Sequence, residues 1–301
     1  MSTEGGGSGA ESESQTEDGS RAGTADTRLN GSAAAARLRE GPAVPPEAAA
    51  IGCRDTTKTF GSITAVDDVN IGIDHGEWVS IVGPNGAGKT TLLNVLNGFY
   101  DPDPGAEVYV DGEELTGAPE HERARAGVGR TFQGLELFET ETVLENVTTI
   151  RAVSQSPSLA AALTFYGSGR RTESENVRRA EEIIDYLELW EYRHTPVETL
   201  PLGVQRRVDL ARALALEPSV LLLDEAMSGL TFDEKYDIIR FLTDLHEEEE
   251  LTLVMIEHDL EVVTAVSDRM IVIQKGGVLA RGPPEAVTDD PDVARVYTGV
   301  E

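Results

Sequence analysis

The chain has 301 residues, and its 54 acidic residues outnumber its 25 lysines and arginines, which gives a formal net charge of −29. A chain of this length forms one large domain or two small ones. No apolar run approaches the roughly 20 residues of a membrane-spanning helix, which excludes an integral membrane protein. The single cysteine, Cys53, excludes an internal disulfide. Because residues 1–10 lack the basic and apolar regions of a secretory signal, we expect a cytoplasmic protein.

The acidic charge lies mainly in the body of the chain. Residues 1–50 hold eight acidic residues and four arginines, a net of −4, which leaves −25 for residues 51–301. Such a surface repels nucleic acid. It is tolerated where salt is high, because the Debye length falls to about 3 Å at 1 M. We interpret the composition as that of a cytosolic protein from a salt-accumulating halophile; the alternative is an ordinarily acidic mesophilic protein.

The first part of the chain is predicted to be a disordered tail followed by strands and a helix. Residues 1–48 are rich in Ser, Gly, Ala and Glu without an aromatic residue, so we predict a disordered acidic tail, with the folded domain at 49–301. Apolar patterns then predict, in chain order, strand Val69–Ile73, strand Trp78–Val82, helix Thr90–Asn97 and strand Glu107–Val110, which enters a tight turn at Asp111-Gly112.

The rest of the chain is predicted to be a helical subdomain, roughly 134–217, followed by a return to strands. Helical spacing joins Val177, Ala180, Ile184 and Leu187, and again Val204, Val208, Ala211 and Ala215, whereas 154–173 shows the weakest pattern. The later elements are predicted as strand Val220–Leu223, a helix from Ile238 to Leu245, strand Leu251–Ile256, helix Leu260–Val266 capped by Asp259, and a hairpin of Met270–Gln274 and Val278–Arg281 around Gly276-Gly277. This alternation predicts an α/β core with a helical insert.

A glycine-rich segment between a predicted strand and a predicted helix fits the pattern G-x-x-x-x-G-K-[ST]. Its residues are Gly83, Pro84, Asn85, Gly86, Ala87, Gly88, Lys89 and Thr90. Glycines let successive N–H groups face one phosphate, and the helix N-terminus adds partial positive charge. Lys89 would reach the β- and γ-phosphates, and Thr90 would bind Mg²⁺. A glycine-rich turn that matches by chance is disfavoured by the strand and helix on either side.

An acidic pair follows a second buried strand. Val220–Leu223 delivers Asp224 to the carboxyl edge of the sheet, where it can hold Mg²⁺, and Glu225 beside it can polarise a water as a general base. Alone, an apolar run that ends in Asp-Glu is equally explained by a strand that ends in a solvated loop. The upstream phosphate loop favours the catalytic interpretation.

Several motifs in the same order resemble the ATP-binding subunits of ABC transporters, over roughly residues 51–301. They are GPNGAGKTT at 83–91, RTFQ at 130–133, LLLDE ending at Glu225, and IEHD around His258. The resemblance implies a P-loop NTPase core, with a mixed sheet, flanking helices, an N-terminal antiparallel part and the family's helical insert, that uses ATP and Mg²⁺.

The resemblance also implies roles for individual residues. It adds Thr91 to the nucleotide-binding residues and implies that Phe60 stacks on adenine. It also implies that Gln133 contacts the γ-phosphate, Mg²⁺ and the membrane partner, and that His258 contacts the γ-phosphate. Taken alone, Phe60 fits a core aromatic residue, Gln133 a surface residue and His258 a turn histidine.

The family's signature segment, LSGGQ, is altered in this chain. It appears as Leu200-Pro201-Leu202-Gly203-Val204, with Pro201 and Val204 in place of the serine and glutamine. The resemblance implies that Leu200, Leu202 and Gly203 approach the ATP of a second subunit, and the helix that follows can still face a phosphate. Ala226 and Thr231 also depart from the usual Pro and Asp without removing a catalytic group.

Finer features are similar to the ATPases of branched-chain amino acid importers. They include GVGRTFQ, TVLENV, IEHDLEVV and the C-terminal DPDVARVYTG. This implies two ATPase subunits, identical or paralogous, on two permease subunits at the inner face of the membrane, fed by an extracytoplasmic solute-binding protein. ATPases of urea and short-chain amide importers share most of these features, and those of lipopolysaccharide exporters share fewer.

Two classes outside transport compete with this interpretation. A soluble ABC-type ATPase acting on nucleic acid is disfavoured by the acidic surface. A binding module with an inactive site is disfavoured because Glu225 and His258 are both present.

Overall fold

The computed structural model describes residues 44–131, 133–154 and 169–298. Its strands are β1 Ile51–Phe60, β2 Ile63–Ile73, β3 Trp78–Val82, β4 Glu107–Val110, β5 Glu113–Glu114, β6 Val128–Thr131, β7 Val220–Asp224, β8 Thr252–Ile256, β9 Arg269–Gln274 and β10 Gly277–Gly282. Its α-helices are α1 Lys89–Asn97, α2 Glu120–Arg125, α3 Val143–Ser154, α4 Gly169–Tyr186, α5 Leu202–Leu214, α6 Phe232–Glu249, α7 Leu260–Val266, α8 Pro284–Thr288 and α9 Pro291–Thr298.

The strands form two sheets. The antiparallel sheet has the order β2-β1-β4-β5, and the larger sheet has the order β10-β9-β3-β8-β7-β6. All neighbours in the larger sheet are parallel except β9 and β10, which form an antiparallel hairpin. The predicted α/β fold, a mixed sheet with an antiparallel N-terminal part, is confirmed.

The central strands of the larger sheet are buried on both faces, which explains why they are mostly apolar. Alternate residues face opposite sides: Val79 and Ile81 join the core beneath the antiparallel sheet and α1, whereas Trp78 and Val82 join the core beneath the other helices. Leu222 and Leu223 divide between the same two cores. Parallel strands held in this way present their carboxyl ends at one edge of the sheet.

Helices α3, α4 and α5 occupy the chain between β6 and β7. Val143, Ala180, Ile184 and Val208 are buried in one cluster with the sheet, so these helices join the core through the apolar spacing that predicted two of them. The weakly patterned segment 154–173 lies mostly outside the described residues. Among the residues that the structure does describe, no helix has both the length and the apolar character needed to span a bilayer.

Two predicted boundaries are wrong. The folded part begins before residue 49: Pro46–Ala48 form a 3-10 turn with Pro46 buried, and only residues 1–43 of the predicted tail lie outside the described residues. In the last hairpin Gln274 pairs with Gly277, so the turn is Lys275-Gly276 and Gly277 starts the strand. Glycine at 276 has φ +86°, which explains the choice of turn position.

Candidate nucleotide site

The phosphate loop joins β3 to α1 and depends on two glycines. Gly83 has φ +147° and Gly88 has φ +106°. A Cβ at either position would collide with a backbone carbonyl, that of Ile273 or that of Ala65. Only glycine therefore lets the loop lie this close to its neighbours, with α1 starting at Lys89.

An open cavity of about 890 Å³ lies over this loop. It is lined by residues 85–91, together with Ala65, Gln133, Glu225 and His258. Apart from Ala65 on β2, these residues follow the carboxyl ends of β3, β6, β7 and β8, at the edge of the sheet where open α/β folds bind ligands. The sequence-predicted phosphate loop, glutamine, base and histidine thus meet in one cavity whose size suits a nucleotide.

Lys89 lies inside the loop. The residue is 6% exposed, and Nζ donates to the carbonyls of Gly83 at 2.8 Å and Pro84 at 3.1 Å. Burial lowers the pKa of Lys89, which the negative charges of Glu225 and Asp224 oppose. The ammonium group is therefore fixed at the loop, where the charges of the two carboxylates also reach it.

Asp224 lies beneath the cavity at the end of β7. One carboxylate oxygen, Oδ1, accepts from Thr90 Oγ1 at 3.3 Å, and the other, Oδ2, accepts from Arg130 Nη2 at 3.1 Å. Burial raises the pKa of Asp224, and the Arg130 guanidinium acts in the opposite direction. The predicted meeting of Thr90 and Asp224 is present in the structure; Arg130 has a place in the site that sequence reasoning missed.

Glu225 is the most constrained residue of the site. Its backbone has φ +51°, which few non-glycine residues adopt, and its N–H donates to the Ile256 carbonyl at 3.0 Å. Gln133 Nε2 donates to Oε2 at 2.8 Å, and His258 Nε2 lies 2.7 Å from Oε1. Since a carboxylate only accepts, Nε2 of His258 carries the proton.

These contacts set the ionisation of Glu225. Partial burial raises its pKa, but the hydrogen bonds from His258 and Gln133 outweigh that effect and leave the pKa below its ordinary value. Glu225 is therefore an ionised carboxylate at neutral pH, as a general base must be before it accepts a proton.

Two further bonds tie the site to its surroundings, and sequence reasoning missed both. Buried Glu257 accepts from the Met227 N–H at 3.1 Å, which links the end of β8 to the loop after Glu225. Arg206, on α5, donates through Nη2 to the carbonyl of Gln133 at 3.1 Å. Each bond joins segments far apart in the chain, so no local sequence pattern predicts it.

Phe60 lies outside the residues that line the cavity. It is 42% exposed and packs edge-to-face against Tyr100, with ring centroids 5.1 Å apart. Lys58 Nζ lies 5.3 Å from the Phe60 centroid. The expected adenine contact therefore stays a prediction, and the structure adds Tyr100 as a second ring beside Phe60.

The signature segment also lies outside the chain's own cavity lining. Helix α5 starts at Leu202, and Pro201 provides no side-chain cap for it. Leu202, which is 42% exposed, occupies the position of the first glycine of LSGGQ, a departure that sequence reasoning missed. A Cβ at Gly203 would collide with the Glu234 carboxylate, so a larger residue there would displace that side chain.

Thr231, which stands where the family usually has Asp, has a structural role. It is the N-cap of α6, and its hydroxyl and the Glu234 side chain form a reciprocal capping box. Glu234 Oε2 accepts from the Thr231 N–H and hydroxyl, both at 2.8 Å. The substitution therefore retains a side chain that caps the helix.

A glycine loop between a buried parallel strand and a helix, with an acidic pair at the carboxyl end of a second parallel strand of the same sheet, defines a phosphate-loop nucleotide hydrolase. The family model described as ABC transporter matches residues 66–228. The chain is 39% identical over 243 residues to the high-affinity branched-chain amino acid transport ATP-binding protein BraF of Pseudomonas aeruginosa, covering 81% of this chain and 95% of BraF. It is 38% identical over 240 residues to LivG of Escherichia coli, of the same description, covering 80% of this chain and 94% of LivG.

More distant relatives show the breadth of the similarity. The sulfate/thiosulfate import ATP-binding protein CysA of Bradyrhizobium diazoefficiens is 36% identical over 249 residues, which cover 82% of this chain and 67% of CysA. A nucleotide-free ATP-binding cassette from an ABC transporter superposes with a TM-score of 0.72 at 30% identity, covering 82% of this chain and 98% of that one. The dimeric cassette MJ0796 bound to ADP and Pi superposes with a TM-score of 0.66 at 30% identity, covering 78% of this chain and 98% of that one.

This chain belongs to the ABC transporter family. It is an ABC-type ATPase, whose hydrolysis of ATP is coupled to transport.

Proposed function

We propose that this chain powers an ABC importer of branched-chain amino acids. The observation that carries the proposal is the match to BraF and LivG, which extends over 95% and 94% of their lengths and which their names connect with that transport. CysA, connected by name with sulfate and thiosulfate, matches a smaller share of its own length.

The contacts within the cavity support a division of roles during hydrolysis. Lys89 and the loop N–H groups would bind the β- and γ-phosphates and stabilise the charge of the transferring phosphoryl group. Glu225, held by Gln133 and His258, would orient and deprotonate the attacking water. His258, bonded to the same carboxylate, would contact the γ-phosphate and stabilise its charge.

The residues beside the loop fit Mg²⁺. The Thr90 hydroxyl and the Asp224 carboxylate lie 3.3 Å apart, and oxygen atoms are the ligands that Mg²⁺ prefers, usually with water and substrate phosphates. In the described part of the chain no three His, Cys, Asp or Glu side chains are grouped so that they could hold a metal ion. When bound, Mg²⁺ would neutralise phosphate charge, with Thr90, Asp224 and the Gln133 side chain around it.

A second subunit would complete the site. Leu200, Leu202 and Gly203 are absent from the chain's own cavity, and Leu202, Phe232 (83% exposed) and Tyr236 (62% exposed) present apolar surface near the start of α5 and α6. We propose that two copies, or this chain and a paralogue, face head to tail, with ATP between the loop of one and the signature segment of the other. The dimeric MJ0796 cassette is consistent with this arrangement.

The remaining partners follow from the same proposal. Permease subunits would hold the ATPase on the inner face of the cell membrane, and an extracytoplasmic binding protein would deliver the solute. The bond from Arg206 to the Gln133 carbonyl would carry motion from the nucleotide to the helical insert and the permease. The net charge of −29 supports a salt-rich cytosol as the working environment.

One experiment separates the proposed solute from other solutes. The tagged full chain is purified with a mild detergent from membranes of its own host, and Lys89→Ala serves as the control for nucleotide-independent association. We expect a permease and a lipid-anchored or soluble binding protein to co-purify. The binding protein should gain thermal stability with leucine, isoleucine or valine.

Different results would redirect the proposal. Stabilisation by urea or acetamide, or by sulfate, in place of the amino acids would transfer it to another importer class. ATPase activity that rises with DNA or RNA, with no permease recovered, would favour a soluble ATPase acting on nucleic acid.

A further inference from the structure

Behind the cavity lies an arginine that contacts the acidic residue expected to bind the metal. Arg130, near the end of β6, has a side chain that is 6% exposed, and the side chain of Asp224 is 1% exposed. Arg130 Nη2 and Asp224 Oδ2 are 3.1 Å apart. Both charges are therefore removed from water. In the protein interior, the geometry of a charged pair affects its energy more than at the surface.

The same guanidinium also reaches the helix that follows the phosphate loop. Arg130 Nη1 donates to Asn94 Oδ1, on α1, at 2.6 Å. One planar group thus joins three elements: β6, which leads into Gln133; α1, which starts at Lys89; and β7, which ends at Asp224. Lysine could not copy this, since its single ammonium lacks the fixed fork of a guanidinium.

The two carboxylate oxygens of Asp224 have different hydrogen-bond partners. Oδ2 faces Arg130, whereas Oδ1 faces the Thr90 hydroxyl. A free carboxylate can rotate and exchange its oxygens, but this one is held from behind. Such outer partners commonly change metal affinity by about 10- to 100-fold when they are removed.

We propose that Arg130 is a positioning residue for Mg²⁺ binding: it fixes the Asp224 carboxylate so that Oδ1 is presented beside Thr90, and it connects that carboxylate to the loops carrying Lys89 and Gln133. The inference rests on the proposed role of Asp224 toward Mg²⁺. Arg130 itself touches neither the nucleotide nor the metal in this scheme.

The test measures the affinity of the full chain for the non-hydrolysable β,γ-imido analogue of ATP, with MgCl₂ and separately with EDTA. The ratio of the two dissociation constants is the gain due to Mg²⁺. For Arg130→Met we expect this gain to fall by about 10- to 100-fold, with the affinity in EDTA unchanged. Arg130→Lys should restore part of it, because one of the two bonds can re-form.

Two further variants distinguish the proposed effect from misfolding. Asn94→Ala removes only the anchor on α1 and should reduce the gain in the same direction by a smaller factor. Arg123→Met is the matched control for loss of a buried arginine: Arg123 is fully buried and donates to backbone carbonyls, including those of Val95 and Leu96, so its loss should leave the gain intact.

Asp224→Asn distinguishes failure of this inference from failure of the site assignment. If Asp224→Asn loses the gain while Arg130→Met and Asn94→Ala retain it, the positioning role is overturned and the site stands. If Asp224→Asn retains the gain due to Mg²⁺, the positioning role of Arg130 and the assignment of Asp224 to Mg²⁺ are both overturned. An equal loss of affinity in MgCl₂ and EDTA in the Arg130 variants would show a structural role only and would also overturn the proposal.

Discussion

Replacement of Glu225 by glutamine is the most direct test of the hydrolytic site. The change keeps the shape of the side chain but removes the base, a function typically worth 10²- to 10⁴-fold in rate. At about 1.4 kcal/mol per tenfold, this corresponds to roughly 3–5 kcal/mol on the barrier. We therefore expect turnover to fall by that factor.

The structure indicates that binding should suffer much less. Glu225 accepts one hydrogen bond from Gln133 at 2.8 Å and one from His258 at 2.7 Å. Glutamine offers a single oxygen, so one bond is lost, at a cost of about 0.5–1.5 kcal/mol. Neither bond joins the phosphate loop, so ATP affinity should stay within about tenfold of that of the unaltered chain.

The assay is single-turnover hydrolysis of labelled ATP with Mg²⁺, alongside size-exclusion chromatography to detect an ATP-bound dimer. Glu225→Asp is the control: it keeps a carboxylate but shortens its reach, so its rate should lie between the other two. Turnover in Glu225→Gln within about threefold of the unaltered rate would place the base elsewhere, since that loss is far below the range for a general base. A loss of ATP binding in the same variant would show that the site had collapsed.

Four more changes have expected outcomes. Lys89→Ala should abolish or nearly abolish binding of labelled ATP, since it removes the cation held at the loop; unaltered affinity at matched salt would refute the loop assignment. Burial raises the pKa of the Cys53 thiol to about 11, so ionisation of the unfolded state should lower the free energy of unfolding by up to about 3 kcal/mol between roughly pH 9 and pH 11, a slope that Cys53→Ala should reduce in denaturant titrations. Thr231→Ala should destabilise the chain by about 1 kcal/mol through loss of the cap of α6, with no effect from Ser228→Ala as the comparison. Melting temperatures should rise as KCl goes from about 0.1 M to 1 M, because the Debye length shrinks roughly threefold; flat values would end the halophile interpretation.

Sequence reasoning succeeded where the local pattern carries the information. Strands β3 and β7 are mostly apolar, and their positions follow from that pattern together with the glycine loop and the acidic pair at their ends. The site residues on those strand ends then meet because parallel strands share one edge. In contrast, β6 is four residues long and includes Gly129 and Arg130, so no periodicity identifies it.

Other features depend on contacts between distant residues. The bond from Arg130 to Asp224 spans 94 positions, and no spacing rule predicts it. The positive φ of Glu225 arises from the way the loop leaves the sheet, whereas the residue type would favour an ordinary conformation. In β1 and β2, irregular register around Thr56 and Lys58 interrupts the alternation that would have revealed the full hairpin.

The bond between Glu257 and the Met227 N–H has a consequence for the timing of hydrolysis. Glu257 precedes His258, so a nucleotide that draws His258 toward its phosphate would pull the loop at 226–230 as well. That loop passes beside Leu202, since a Cβ at Gly229 would lie 3.2 Å from Leu202 Cδ2. In the proposed dimer Leu202 faces the opposite ATP. Binding of nucleotide at one site would therefore affect the other site before any bond to phosphorus breaks. The two sites would then be coupled through the loop at 226–230 and Leu202.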